Sequence, residues 1–287
     1  MDLRVGERVF RPGEYALMAI INRTPDSFYD RGSTYAFEAA LERVDEVVGD
    51  GADIVDIGGV KAGYGDTVDT AEELRRTADF VAAVRERHPA LPISVDTWRG
   101  EVAHALCDLG ANLVNDTWAG HDLEIAAVAA EHDAGLVCSH TGGLPPRTDP
   151  HRVAYDDVVA DVVRTTTALA ERATELGVDP QRILIDPTHD FGKNTRHSLE
   201  LTRRLDELVA TGWPVLVALS NKDFIGETLD TERDDRLSGT LAATAVSALH
   251  GARVFRAHDV RETRQALDMV ASIQGSRPPA VARRALA

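Results

Sequence analysis

Short apolar runs rich in β-branched residues recur along the whole chain, at residues 16–21, 53–57, 93–95, 112–114, 136–138, 183–185, 215–219 and 253–255. Between them, apolar positions recur at helical spacing over 36–48, 71–84, 101–109, 157–176, 199–209 and 241–249. Strand followed by helix, repeated in this way, is the pattern of a parallel α/β fold. Eight strand runs in 287 residues fit one (β/α)8 TIM barrel better than an open sheet. The expectation is a single barrel domain over 1–287, with 276–287 a frayed tail carrying Pro278, Pro279 and several arginines. Gly51, Gly110, Gly135 and Gly251 precede strand runs, as expected of glycines at helix C-termini. Pro92 and Pro214 stand just before strands, where a missing N–H is tolerated. The loop at 142–150, with two glycines and three prolines, is read as a connection inside the barrel.

Barrels of this kind carry their active sites at the C-terminal ends of the strands. The runs end, in order, at Asn22, Asp56, Asp96, Asn115-Asp116, His140, Asp186, Ser220 with Lys222 beyond it, and Arg256 with His258. A single strand-end Asp is most simply a turn or cap residue. A polar group at every end predicts one concave site on which these residues converge. Asp96, Asn115 and Asp186 offer carboxylates and an amide, suited to a flat heterocycle bearing amino, amide and ring N–H groups. Lys222, Arg256 and His258 suit a phosphate or pyrophosphate. Asn22 is placed to hold a hard metal such as Mg²⁺ beside the phosphate oxygens.

Composition narrows the partners. The chain is 44% hydrophobic, enough for a large core, and its 31 basic against 47 acidic residues give a net charge of −16. Such a charge argues against nucleic-acid binding, while a small phosphorylated ligand needs only a few local cations. Cys107 and Cys138 match no metal spacing and read as buried thiols of a reduced, cytoplasmic protein. No apolar run approaches the ~18 residues of a membrane span, and no signal peptide is expected. Trp98 and Trp118 follow strand ends and either wall the site or pack behind it; His104, His121, His132 and His250 read as solvated, and 230–235 as an exposed charged turn.

The motifs at these ends resemble those of the dihydropteroate synthases. They are Asn22-Arg23-Thr24-Pro25-Asp26-Ser27-Phe28, Asp56-Ile57-Gly58-Gly59, Ser94-Val95-Asp96-Thr97 and Asn115-Asp116. They continue with Asp186-Pro187, Phe191-Gly192-Lys193, Leu219-Ser220-Asn221-Lys222, Phe224-Ile225-Gly226 and Arg256-Ala257-His258-Asp259-Val260. The segments are collinear from Met18 to Val260. The resemblance implies condensation of 6-hydroxymethyl-7,8-dihydropterin pyrophosphate with 4-aminobenzoate, with pyrophosphate released, by a homodimer. It implies that Asp96, Asn115, Asp186 and Lys222 hold the pterin, that Asn22, Arg256 and His258 bind Mg²⁺-pyrophosphate, and that the loop at 24–32 closes over the site. Asp56 is placed with the substrate-binding residues, and Lys222, Arg256 and His258 with the catalytic ones. Helical surfaces around 241–248 and 266–273 are the candidate dimer face.

Three departures from that pattern stand out. After Gly58-Gly59 the family has Glu-Ser-Thr-Arg-Pro-Gly, where this chain has Val60-Lys61-Ala62-Gly63-Tyr64-Gly65. Between Asp186-Pro187 and Phe191, the family's Gly, apolar residue and Gly are Thr188, His189 and Asp190. Asn221 replaces the Arg of Ser-Arg-Lys. Lys61 or Arg23 is the candidate replacement for the missing loop cation, although neither supplies the lost fork at its original position. The pattern resembles a divergent second copy of the kind found beside an authentic synthase in actinobacteria, and predicts weak or lost synthase activity. The alternatives are a non-catalytic paralogue that binds a pterin or another heterocycle-phosphate, and a transferase with a different acceptor.

Overall fold

The computed structural model describes residues 1–24, 37–61, 63, 65, 67–148 and 154–284. It opens with an antiparallel hairpin of β1 (Leu3–Val5) and β2 (Arg8–Phe10). Eight parallel strands follow: β3 (Ala16–Asn22), β4 (Ile54–Gly58), β5 (Ile93–Asp96), β6 (Leu113–Asp116), β7 (Gly135–Cys138), β8 (Ile183–Ile185), β9 (Leu216–Ala218) and β10 (Val254–Ala257). Their order is β8-β7-β6-β5-β4-β3-β10-β9, and a parallel bridge between Ile185 and Val215 joins the two outer strands into a barrel. All eight strand runs expected from the sequence are present, each within one or two residues.

The helices form the outer layer: α1 (Phe37–Gly49), α2 (Thr70–Arg87), α3 (Gly100–Asp108), α4 (Ile125–Glu131), α5 (Val158–Glu175), α6 (Thr195–Arg203), α7 (Leu205–Val209), α8 (Asp223–Leu229), α9 (Leu237–Leu249) and α10 (Val260–Gln274). Local chemistry sets their starts. The Asp69 carboxylate accepts from Glu72 N at 2.8 Å to cap α2, and Asp157 caps α5 through Val159 N and Ala160 N. The single helix expected over 199–209 is two, α6 and α7, broken at Arg204. Helices α4 and α8, of seven residues each, are too short for a helical period to show.

Gly51, Gly110 and Gly251 adopt φ of about +100° after their helices, as expected. Gly135 differs, because it is the first residue of β7 itself. A Cβ there would meet Arg182 O at 2.6 Å and Leu113 Cδ1 at 2.9 Å, so close strand packing demands the glycine. Asp133 takes the left-handed turn after α4 instead.

The core has two parts. One lies between strands and helices and runs around the barrel. The other fills the N-terminal end of the barrel, where Leu3, Val5 and Phe10 of the hairpin pack against Met18, Ile54, Leu113, Leu184, Leu216 and Val254. The hairpin was invisible to periodicity because its strands are three residues long. It plugs one end of the barrel, leaving the C-terminal end as the route to the interior. Residues 276–284 are exposed and lie outside helix and strand. No described helix is long and apolar enough to cross a membrane.

Candidate functional site

At the C-terminal end of the strands the barrel opens into a cavity of about 560 Å³. The structure brings Asn22, Asp96, Asn115, Asp186, Ser220, Lys222, Arg256 and His258 together around it. These come from six different strand ends, as a single concave site requires. The expected closing loop at 24–32 lies outside the described residues, apart from Thr24, which lines the cavity.

The floor is a buried ionic network. Arg256 donates from Nε to Asp56 Oδ2 at 2.6 Å and from Nη2 to Asp96 Oδ2 at 2.9 Å. Asp56 also accepts from Ser94 Oγ at 2.5 Å and from Asn115 Nδ2 at 3.1 Å. This changes two expectations. Asp56 lies within β4, fully buried and beneath the lining, so it orients Arg256 and Asn115 rather than touching a ligand. The Arg256 guanidinium, expected to serve a phosphate, already has two of its nitrogens engaged by carboxylates. Burial raises the pKa of Asp96, with the charge of Arg256 pulling the other way. Thr117 adds a hydrogen bond from Oγ1 to Asp96 Oδ1 at 2.8 Å.

Asn115 is fixed with its amide nitrogen on Asp56, a group that only accepts when ionised, so its Oδ1 is left as an acceptor. That oxygen is buried with no hydrogen-bond partner, as is the indole N–H of Trp118 on the same lining. An orphaned acceptor and an orphaned donor in one cavity mark a place for a ligand with both kinds of group.

Asp186 faces them. Its Oδ1 accepts from Thr188 N at 2.7 Å. Burial raises its pKa to about 6, against the N–H of Thr188 and the cations Lys222, Lys193 and Arg256. Its carboxylate is therefore ionised above about pH 6 and neutral below it, and the neutral form accepts less well from paired N–H donors. Affinity for an amino- and amide-bearing heterocycle should fall up to ~10-fold per pH unit below that point. Binding isotherms between pH 5 and 8 would test this, and a flat profile would remove Asp186 from the site.

Lys222 places Nζ 4.4 Å from the centre of the Phe191 ring. Burial lowers its pKa, while Asp190 and Asp186 raise it. Lys193 is further in: its ammonium donates to the carbonyls of His140 at 2.8 Å, Thr188 at 3.1 Å and Phe191 at 2.8 Å, tying together the loops after β7 and β8. Gly192 completes that clasp at φ +61°, where a Cβ would stand 2.8 Å from the carbonyl carbon of Thr141. Gly192→Ala should cost ~2 kcal/mol or more of stability, read from urea unfolding.

The departures from the family pattern fall on this lining. Thr188, Asp190 and Asn221 have φ of +53°, +70° and +58°. Two of these are the positions where glycine was expected, so the left-handed backbone is kept without the residue that adopts it freely. Thr188 is held there by bonds from its Oγ1 to Asp186 O and from His140 N to Oγ1, both 3.0 Å. Asp190 does not point away. It lines the cavity, accepts from Ser198 Oγ at 3.1 Å and Phe224 N at 3.3 Å, and adds negative charge beside Lys222. Of the two candidate replacement cations, Lys61 lines the cavity. Arg23 does not: its guanidinium lies 4.6 Å from the centre of the Phe80 ring, against α2. Ala62 lies outside the described residues.

Besides Asp56, two strand-end residues do not join the ring. His140 is buried, with Nε2 2.9 Å from Asp161 of α5, and burial lowers its pKa to about 4. Asp116 caps the turn that follows it, accepting from Trp118 N at 3.0 Å and Gly120 N at 2.6 Å. In both, local satisfaction wins over the shared site. Trp118 walls the cavity, while Trp98 packs behind it at 6.4 Å between ring centres. Arg233 and Arg236 also line the mouth, and Arg233 belongs to the stretch read as an exposed turn. Nothing in their sequence spacing ties them to a strand end.

A Cβ on Gly58 would stand 3.8 Å from Asp96 Oδ2 and 3.9 Å from Asn22 Oδ1. These two oxygens are of the kind a hard cation takes, with phosphate oxygens and water to complete its shell, and the Asp96 oxygen is shared with Arg256.

The model of the family "Pterin binding enzyme" matches residues 18–258. The chain is 57% identical over 275 residues to inactive dihydropteroate synthase 2 of Mycobacterium leprae, covering 94% of each. It superposes on Yersinia pestis dihydropteroate synthase in complex with a sulfonamide drug with a TM-score of 0.90 at 30% identity, covering 96% of this chain and 100% of that one. On Thermus thermophilus dihydropteroate synthase in complex with 4-aminobenzoate the TM-score is 0.85 at 36% identity, covering 95% and 100%.

Proposed function

The chain belongs to the pterin-binding enzymes and, within them, to the dihydropteroate synthases, and from that premise we propose that it binds a dihydropterin pyrophosphate while condensing it with 4-aminobenzoate weakly or not at all. The observation that carries the binding half is the orphaned Asn115 Oδ1 on the lining shared with Asp186. A pterin presents ring N–H and amino donors on one edge, and these two residues offer acceptors for them.

In the family reaction the C–O bond to pyrophosphate breaks, pyrophosphate leaves with the electron pair, and the aryl amine forms a C–N bond and loses a proton. Catalysis then rests on stabilising the departing anion, positioning the amine and excluding water. Here Asp186 and Asn115 orient the heterocycle, and Lys222 supplies positive charge beside them. Arg256, His258 and Asn22 stand toward the leaving group. Asn22 would hold Mg²⁺, which neutralises phosphate charge when bound.

The second half rests on the departures. The Thr-Arg pair of the acceptor loop is gone, Asp190 puts a half-buried carboxylate beside Lys222, and Arg256 already serves two carboxylates. Each weakens stabilisation of an anionic leaving group or placement of the amine. The M. leprae relative, inactive by its name, points the same way. A different acceptor is the second reading, favoured by Lys61, Arg233 and Arg236 around the mouth.

A single-turnover assay separates these readings. Stoichiometric protein, Mg²⁺, dihydropterin pyrophosphate and 4-aminobenzoate are mixed beside an active synthase, with ligand binding measured in parallel. Binding without dihydropteroate is expected. Rapid product would overturn the loss of turnover, and absence of binding would overturn the pterin assignment. A homodimer is proposed through α9 and α10, which expose Val246, Leu249, Met269 and Ile273. Light scattering should then give twice the 31.1 kDa chain mass.

A further inference from the structure

We propose that the outer helical layer carries a site for a divalent transition metal of the Zn²⁺ class, built by His104, Glu131 and His132 where the C-terminal ends of α3 and α4 meet. One ligand atom from each of the three lies within 4.8 Å of the other two. The imidazole rings stand edge to face with centres 4.6 Å apart. His104 Nε2 is 3.9 Å from Glu131 Oε1, while its Nδ1 is 3.5 Å from Asp108 Oδ2. Asp108 thus stands behind Nδ1 while Nε2 faces Glu131. A carboxylate behind a histidine is the usual support of a metal-binding imidazole. His132 Nε2 is buried without a partner, so its open nitrogen is Nδ1, 3.8 Å from Asp108 Oδ1.

The surroundings favour a cation. α3 ends at Asp108 and α4 at Glu131, so the partial negative charge of two helix ends coincides with two carboxylates. Neither last turn carries a basic residue. Two imidazoles and a carboxylate suit Zn²⁺, with water in the fourth position, better than Mg²⁺, which takes oxygen ligands. Metal–ligand distances of ~2.0–2.2 Å require the donors to close by roughly 1 Å. His104 and Glu131, 46% and 66% exposed, have the rotamer freedom to do so.

Equilibrium dialysis of the full chain against Zn²⁺, after chelator treatment, tests this. The expected result is one retained equivalent, lost in His104→Ala and in His132→Ala and weakened about 10–100-fold in Asp108→Asn. His250→Ala should retain it, and all variants should leave ligand binding in the barrel cavity unchanged. Glu131→Gln, at an exposed position, gives the same loss should a histidine variant fail to fold. No Zn²⁺ retained, or an equivalent that survives in the His104→Ala/His132→Ala double variant, would overturn the site.

Discussion

Replacing Arg256 by alanine is expected to lower the stability of the folded chain by about 3–5 kcal/mol at pH 8. The guanidinium is the cation shared by Asp56 and Asp96, and its side chain is only 16% exposed. Without it, two carboxylates face each other in a buried floor with hydroxyl and amide donors alone. Removing one partner of a buried ion pair leaves the other's desolvation uncompensated, which is why the loss exceeds what the pair contributes net. The deficit should shrink as the pH falls. In the variant, one carboxylate takes up a proton in the folded state at a pH where the unfolded chain holds none, so stability rises on acidification toward the unfolded Asp pKa of ~3.9. Urea unfolding at pH 8 and pH 6 checks both the size and the slope. A loss below ~1 kcal/mol would mean that water reaches the floor and screens it. Arg256→Ala combined with Asp56→Ala should recover part of the loss, because the unpaired charge goes with its partner.

Asp186→Asn is expected to move binding and stability in opposite directions. Its carboxyl, raised to about 6 by burial, is ionised at pH 8 at a cost to the fold. A folded-state pKa above the unfolded value destabilises once the pH exceeds both, and two units correspond to roughly 3 kcal/mol. The amide removes that charge and keeps an oxygen to accept from Thr188 N. Part of this gain is lost because an added N–H₂ needs a partner, so a net rise of ~1–2 kcal/mol is expected. Binding of the dihydropterin ligand should weaken by about 10²–10³-fold, because charge-assisted hydrogen bonds contribute ~1.5–3 kcal/mol each. Thermal unfolding and calorimetric titration on one sample would read both. Unchanged affinity would place the heterocycle elsewhere, and a destabilised but binding variant would make Asp186 a structural residue.

Much of the barrel was legible because strand and helix periods alternate cleanly, and the strand ends are where a (β/α)8 fold must put its chemistry. What spacing does not contain is where a side chain turns after its strand ends. Asp116 stands one residue beyond Asn115, the register partner of Asp96, and His140 two residues beyond the end of β7, where the N–H groups of a tight turn and a carboxylate on α5 claim them. Asp56 was misplaced by two residues: β4 runs on to Gly58 and lowers it beneath the floor. Arg233 and Arg236 follow α8, and Arg236 is held at the mouth by hydrogen bonds to Asn221 O at 3.0 Å and Asp223 Oδ1 at 2.7 Å, long-range contacts that spacing does not contain. The glycine-to-Thr188 and glycine-to-Asp190 changes were legible as departures, while their left-handed backbone is a property of the folded loop that side-chain identity does not announce.

The hairpin plug bears on how the chain is made. Leu3, Val5 and Phe10 are synthesised well before their partners Leu216 and Val254, which lie more than 200 residues further along the chain. Until β10 emerges, the nascent chain carries an apolar surface with no complete cover. Contacts of such long range slow folding and prolong the exposure of sticky intermediates. Vectorial synthesis therefore leaves the hairpin uncovered until the last strand emerges, and yield in a cell should depend on holdase chaperones acting on it in that interval.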